Sequence, residues 1–122
     1  MGARLDDAQR EALLELMSRV LDRHAVQHRT LTYLELADAI AMPGPQRIHR
    51  TTRLLEILMK RDAEVGRPIR AALAVSRRGG GLPAAGFFDR AERLGLFDGR
   101  SPADYHQQLL ADLFRAGDAS DS

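Results

Sequence analysis

The chain has 122 residues, no cysteine, 44% apolar residues and a formal net charge of +1. This length and composition fit one soluble globular domain, and the absence of cysteine excludes disulfides, thiol catalysis and zinc-thiolate sites. No apolar run approaches the roughly 20 residues that span a bilayer, and the acids near the N-terminus are not typical of an export signal, so we expect a cytoplasmic protein.

The positive charge is concentrated in the middle of the chain. Residues 47–78 carry nine Lys or Arg and three acids, and residues 1–46 and 79–122 are acidic, so the segments have net charges of −2, +6 and −3 in chain order. A cationic centre between acidic flanks is expected of a protein that contacts the phosphate backbone of a nucleic acid. The same distribution fits a solvated helix face that pairs with the acidic ends.

Residues 5 to 26 are predicted to form the first helix. Asp6 and Asp7 fall in its first turn, where carboxylates favour the positive end of the helix dipole. Apolar side chains recur at three- and four-residue steps and define one stripe that packs against a core. They are Leu5, Ala8, Ala12, Leu13, Leu16, Met17, Val20 and Leu21.

The four histidines are candidate metal ligands. His24 and His28 are four residues apart, which is a metal-ligand spacing on a helix, but no third ligand is near them. His49 and His106 stand alone. We therefore interpret all four as ordinary surface histidines and predict no metal site.

Residues 30–66 predict two helices joined by a turn. Thr32 is expected to cap the first of them, with Glu35 completing a capping box. Its apolar face is formed by Leu34, Leu36, Ala37 and Ile40. The Met-Pro-Gly-Pro sequence at residues 42–45 ends this helix, because two prolines lack amide donors.

The second helix of the pair is strongly basic. It is expected to begin at Gln46 or Arg47 and to end near Val65, with Gly66 as its C-cap. Ile48, Leu54, Leu55, Leu58, Met59 and Val65 are predicted to face the core. A short helix, a tight turn and a basic second helix resemble a helix-turn-helix.

Residues 69–75 predict a strand, followed by the loop SRRGGG at residues 76–81. Its glycines do not form a phosphate-binding loop, because no Lys-Ser/Thr pair follows them. Arg77 and Arg78 at the loop tip resemble a wing that lies against a phosphate backbone. The alternative is a mobile hairpin tip that two arginines keep soluble.

Two further helices are predicted. Residues 86–94 form a short helix with Phe87 and Phe88 as core anchors, and Ser101 caps a last helix that runs to about residue 115. We predict a mainly α, small α+β fold: a winged-helix-like helix-turn-helix domain over residues 1–116, with additional N- and C-terminal helices and a short hairpin or wing. Residues 117–122 are predicted to be a disordered tail.

The motifs TYLELA at residues 32–37 and RIHR at residues 47–50 resemble the DNA-binding domain of alkylguanine-DNA alkyltransferases and alkyltransferase-like proteins. That family has a TYGELA-type helix start, an RAVG-type recognition helix, a strand with Pro-Cys-His-Arg and a glycine turn, in an order and approximate spacing that match residues 30–88. The resemblance implies that Tyr33 and Arg47 act at a flipped nucleotide.

The chain departs from that family at several positions. Leu34 and Arg50 replace family glycines, and Ala-Ala-Leu at residues 71–73 stands where Cys-His-Arg would be. Without a cysteine there is no acceptor for an alkyl group, so alkyl transfer is excluded. We expect no enzyme activity and no cofactor.

The sequence thus predicts a non-catalytic DNA-binding domain. Arg47, Arg50 and Arg53 on the second helix are expected to contact DNA, Arg77 and Arg78 to grip a neighbouring phosphate, and Tyr33 to contribute as the resemblance implies. The alternative is a protein-interaction or homodimerisation module on the same scaffold without DNA binding. No membrane partner is expected.

Overall fold

The computed structural model describes residues 5–121. Within them the helices are α1 (Asp7–Gln27), α2 (Tyr33–Ala39), α3 (Arg47–Glu64), a 3₁₀ helix (Arg70–Leu73), α4 (Ala85–Arg93) and α5 (Pro102–Asp121), and the strands are β1 (Leu31–Thr32) and β2 (Ala74–Val75). The predicted mainly α, small α+β fold is confirmed. None of these helices combines the length and the hydropathy needed to cross a membrane.

The two strands form a small parallel sheet. Leu31 pairs with Ala74, and Thr32 pairs with Val75. The strand predicted over residues 69–75 is wrong for its first part, because residues 70–73 form the 3₁₀ helix and only Ala74–Val75 is extended. Since β1 leads directly into α2 and β2 leads into the basic loop, the sheet places that loop beside the start of α2.

One core joins all the helices. Its buried side chains include Leu14, Met17 and Leu21 from α1, Leu36 and Ile40 at α2, Leu58 and Met59 from α3, Leu73, Phe87 and Leu113. Leu16, Leu34, Ile48 and Val65 were predicted to face the core but are exposed. Ile48 and Val65 lie in the first turn and at the C-cap of α3, outside the stretch from Thr51 to Asp62 that contains its buried residues.

The last helix is longer than predicted. It continues to Asp121, so the prediction of disorder is wrong for residues 117–121, and Ser122 lies outside the described residues. A Cβ on Gly117 would lie 2.6 Å from the carbonyl oxygen of Ala25, which shows that this glycine lets α5 pack directly on the end of α1.

A second pair of contacts holds the same end of α5. His28, in a left-handed conformation at the C-cap of α1, stacks on Phe114 with ring centroids 4.7 Å apart. Its Nε2 lies 2.7 Å from a carboxylate oxygen of Asp118. These contacts explain why a segment with few apolar side chains remains helical.

A buried ion pair joins the 3₁₀ helix to α3. The Arg70 side chain donates to both carboxylate oxygens of Asp62, at 3.1 and 2.8 Å, and the Arg70 amide donates to the same carboxylate at 3.1 Å. A third nitrogen of Arg70 approaches Asp22 of α1. Burial alone would lower the pKa of the Arg70 guanidinium, but the bonds and charges of Asp62 and Asp22 outweigh it and raise that pKa.

His106 is also buried, so the prediction that it is a surface histidine is wrong. Its Nε2 donates to the carbonyl oxygen of Ala72 at 2.8 Å, which joins α5 to the 3₁₀ helix. His24 is half-buried beside the carbonyl oxygen of Val20. Among residues 5–121 no three His, Cys, Asp or Glu side chains are grouped so as to hold a metal ion.

Candidate nucleic-acid interface

The start of α2 has the predicted geometry. The Thr32 hydroxyl accepts a hydrogen bond from the Glu35 amide at 3.1 Å, and the Glu35 carboxylate accepts one from the Thr32 amide at 2.8 Å. The capping box is therefore confirmed, and it fixes where Tyr33 leaves the backbone.

Arg47 and Arg50, two of the predicted DNA contacts, bind the turn between α2 and α3. Arg47 donates to the carbonyl oxygen of Met42 at 2.7 Å and to the carboxylate of Asp38 at 2.8 Å. Arg50 donates to the carbonyl oxygen of Pro43 at 3.1 Å. Both guanidinium groups therefore satisfy acceptors at the end of α2, and the charge of Arg47 is partly neutralised by Asp38.

Arg53 behaves differently. Its side chain is exposed and forms no hydrogen bond or ion pair with any described residue. It lies in an open groove with a volume of about 850 Å³, which we call the arginine groove because four arginines line it. They are Arg10, Arg50, Arg53 and Arg90, accompanied by Leu5, Gln46, His49, Leu54, Glu56 and Ile57.

Arg10 and Arg90 were not predicted as site residues. They come from α1 and α4, inside the two segments of the sequence that carry a net negative charge. The Nε atom of Arg90 is buried and has no hydrogen-bond partner among the described residues, whereas Arg10 pairs with Asp7 at 2.8 Å. Tertiary packing brings both arginines beside α3, and no local pattern in the sequence indicates that they lie there.

Arg77 and Arg78 lie in a second groove, on another side of α3. This loop groove has a volume of about 580 Å³ and is lined by Thr32, Tyr33, Leu34, Glu35, Ile48, Ser76, Arg77 and Arg78. Both arginine side chains are exposed and form no hydrogen bond or ion pair with the part of the chain described. The predicted wing has the form of a loop, closed by a 2.8 Å bond from the Ser76 amide to the Leu82 carbonyl.

Tyr33 is half-buried, and its hydroxyl accepts a hydrogen bond from the Ala84 amide at 2.9 Å. Burial raises the pKa of this hydroxyl, so it stays protonated at neutral pH. Tyr33 and Ala71 also line an apolar cleft of only about 40 Å³. That volume is far below the roughly 300 Å³ at which ligand pockets begin, so this cleft is too small for a nucleotide, and the larger space beside Tyr33 is the open loop groove.

The N-terminal end of α3 stands between the two grooves. Ile48 lines the loop groove, and the next residue, His49, lines the arginine groove. A shallow surface that includes Leu34, Pro45 and both of these residues connects the grooves. The first turn of α3 contains no acid, and the Gln46 side chain does not cap it. This end of the helix therefore favours an anion.

Comparisons with known proteins do not identify a relative. No family model matches the chain, and it has no match among the curated proteins or the solved structures. The resemblance to alkyltransferase DNA-binding domains therefore stays a prediction. A functional assignment depends on the two grooves and on the helix end between them.

Proposed function

We propose that the chain is a non-catalytic DNA-binding domain that acts in the cytoplasm. The N-terminal end of α3 faces the duplex, and the arginine groove and the loop groove contact phosphates on either side of it. The observation that carries this proposal is that both grooves hold arginine side chains without a partner among residues 5–121, that of Arg53 in one and those of Arg77 and Arg78 in the other.

Whether a basic side chain already pairs with an acid decides whether it is available to bind phosphate. Of the nine basic residues in segment 47–78, Arg47, Arg61, Arg67 and Arg70 form ion pairs with acids. The side chains of Arg53, Lys60, Arg77 and Arg78 form no such bond with the described residues. An unpaired cation can neutralise a phosphate and release a counterion without first breaking an internal ion pair. Of these residues, Arg53, Arg77 and Arg78 line the two grooves and therefore supply the affinity in the proposed complex.

The proposed role includes no chemical step. Residues 71–73, Ala-Ala-Leu, offer no nucleophile at the position that carries cysteine in the alkyltransferases. Tyr33 is neutral and bonded to Ala84. It serves here as a support that joins α2 to the chain before α4.

Fluorescence anisotropy with a labelled duplex tests the proposal. The variant R53A/R77A/R78A removes three groove arginines whose side chains have no partner among the described residues. Its matched control, R19A/R100A/R115A, removes three exposed arginines from local ion pairs outside both grooves. We expect the groove variant to bind about tenfold more weakly or worse at low salt. Its log affinity should also depend less on log salt, by about 0.9 in slope for each lost phosphate contact. The control should bind like the wild type.

Two results would overturn the proposal. One is a wild type that binds no duplex at low salt. The other is an equal loss of affinity in the groove variant and the control, because that would show a dependence on net charge alone. The secondary structure of both variants, followed by circular dichroism, establishes that they are folded.

A second candidate, a protein-interaction or homodimerisation module, is favoured by one observation. Leu34 and Ile48 are neighbouring apolar side chains with exposed fractions of 43% and 47%. Light scattering tests this candidate directly. A dimer that dissociates when both residues are replaced by serine, together with no duplex binding, would support it over the DNA-binding proposal.

A further inference from the structure

Two large apolar side chains are exposed at the centre of the cationic surface. Ile48 and Leu34 line both the loop groove and the shallow surface at the start of α3. Single exposed apolar residues are ordinary, but these two come from different helices and line the same surface. Arg77 and Arg78 line the same groove. Glu35 is the one acid among the described residues that line this groove, so the groove has a net positive charge and suits an anionic ligand that also offers an apolar face.

The conformation of Arg47 determines which side chain the helix presents. Because Arg47 is held by Met42 and Asp38, its guanidinium is directed to the turn. Ile48, the next residue, is 47% exposed. Ile48 is therefore the large apolar side chain that this end of α3 exposes, beside the exposed His49.

We propose that Ile48, supported by Leu34, is an apolar wedge that enters the base stack of the bound duplex and opens one base step. This inference rests on the proposed DNA-binding function. Proteins that insert Leu, Ile, Met or Phe between base steps kink the duplex, and they combine this apolar wedge with Arg or Lys contacts to the DNA. The arginine groove and the loop groove supply such cations on both sides of Ile48.

The choice of residue suits this role. Isoleucine in a helix has one strongly preferred χ1 rotamer, so its side chain loses little conformational freedom when it is inserted. Leu34 lines the same groove and provides an apolar neighbour for the part of Ile48 that stays outside the stack. Charge complementarity favours a nucleic acid over an apolar protein partner, because Arg77 and Arg78 outnumber the one acid, Glu35, among the described residues of the groove that both side chains line.

The wedge predicts a sequence preference. Pyrimidine–purine steps such as TA unstack more readily than other steps, so opening them takes less energy. We expect tighter binding to duplexes with a central TA step than to duplexes of equal length whose centre is an A-tract. The preference should depend on Ile48, whereas the general affinity should depend on the arginines.

The experiment uses a duplex with 2-aminopurine at a central TA step, since its fluorescence rises when the base unstacks. The full chain is compared with Ile48→Ala, with Ile48→Met as a conservative replacement and with Val65→Ala as a matched control. Val65 is an exposed apolar residue at the other end of α3, so both alanine variants are expected to fold. Anisotropy across a salt series is measured on the same samples.

We expect the wild type and Val65→Ala to raise the 2-aminopurine signal and Ile48→Met to keep part of the rise. Ile48→Ala should lose the rise and bind the TA duplex about five- to tenfold more weakly, with an unchanged salt slope because the cations remain.

Salt-dependent binding with no fluorescence rise, or with the same rise in Ile48→Ala, would overturn the wedge and leave DNA binding intact. No binding by the wild type at low salt would overturn both proposals. A dimer that Ile48→Ala dissociates, without DNA binding, would assign the patch to a protein contact instead.

Discussion

Two regions of this molecule use arginine in opposite ways. At the seam between α1, the 3₁₀ helix and α3, Arg70 is 8% exposed and its guanidinium is surrounded by the carboxylates of Asp62 and Asp22. At the N-terminal end of α3, Arg53 is exposed and bonds to no described residue. The same side chain thus stabilises the fold in one region and remains available to a ligand in the other. A count of cations along the sequence does not separate these roles.

The sharpest test of this difference is the replacement of Arg70. Arg70→Met leaves the Asp62 carboxylate, which is 1% exposed, without its counter-charge. We expect the free energy of unfolding to fall by about 3–5 kcal/mol, because an uncompensated buried charge is strongly destabilising. Urea denaturation measures the change. The double variant R70M/D62L should recover much of the loss, and an equal loss in single and double variants would contradict this account.

A smaller loss of stability is expected from a substitution where α5 crosses α1. Gly117→Ala should lower the free energy of unfolding by about 1–3 kcal/mol, because the new Cβ meets the Ala25 carbonyl and the helices must separate. Gly86→Ala is the matched control, since a Cβ there would meet nothing within 4 Å in α4. The control should be neutral or up to about 1 kcal/mol more stable. If Gly117→Ala gained stability as well, α5 would not be closely packed at this point.

Arg47 and Arg53 provide a comparison within one helix. Arg47→Ala should lower the free energy of unfolding by about 1 kcal/mol, since the Met42 carbonyl and the partly exposed Asp38 lose a donor. Arg53→Ala should change stability by less than about 0.5 kcal/mol but weaken duplex binding. Thermal unfolding and anisotropy on both variants separate the two roles. Loss of binding without loss of stability in Arg47→Ala would instead favour the DNA contact implied by the alkyltransferase resemblance.

The smallest effect on stability is expected from the loss of an exposed ion pair. Arg61 binds the Glu11 carboxylate through two nitrogens, at 3.1 and 2.7 Å, and this hydrogen bonding lowers the pKa of Glu11 below its ordinary value of 4.5. A lowered folded-state pKa gives stability that is present above pH 4.5 and is lost as the pH falls through the folded-state pKa. Arg61→Ala should remove this part of the acid dependence and change little at neutral pH, as a pH series of thermal unfolding would show.

Local features of the fold could be predicted from the sequence. The capping box of Thr32 and Glu35 depends on residues three positions apart, and the bounds of α3 follow from a proline turn and a glycine at its two ends. The 3₁₀ helix could not be predicted, because the Asp62 carboxylate that binds the Arg70 amide belongs to another element. The full length of α5 depends in the same way on its contact with Ala25.

The candidate site was predictable only in part. The concentration of cations pointed to α3 and to the loop, and there the side chains of Arg53, Arg77 and Arg78 bond to no side chain or backbone group in the described part of the chain, as a phosphate contact needs. The direction of Arg47 could not be predicted, because it depends on the path of the turn that brings Asp38 within reach. Arg90 reaches the same surface through the packing of α4.

The parallel pairing of β1 with β2 has a consequence for how this surface can change. The register of Thr32 with Val75 and the bond between Ser76 and Leu82 fix both ends of the basic loop. Residues 77–81 between them can therefore vary in number and charge while the helices keep their positions. The chain thus has a replaceable segment beside the start of α3, where new binding preferences can arise without redesign of the core.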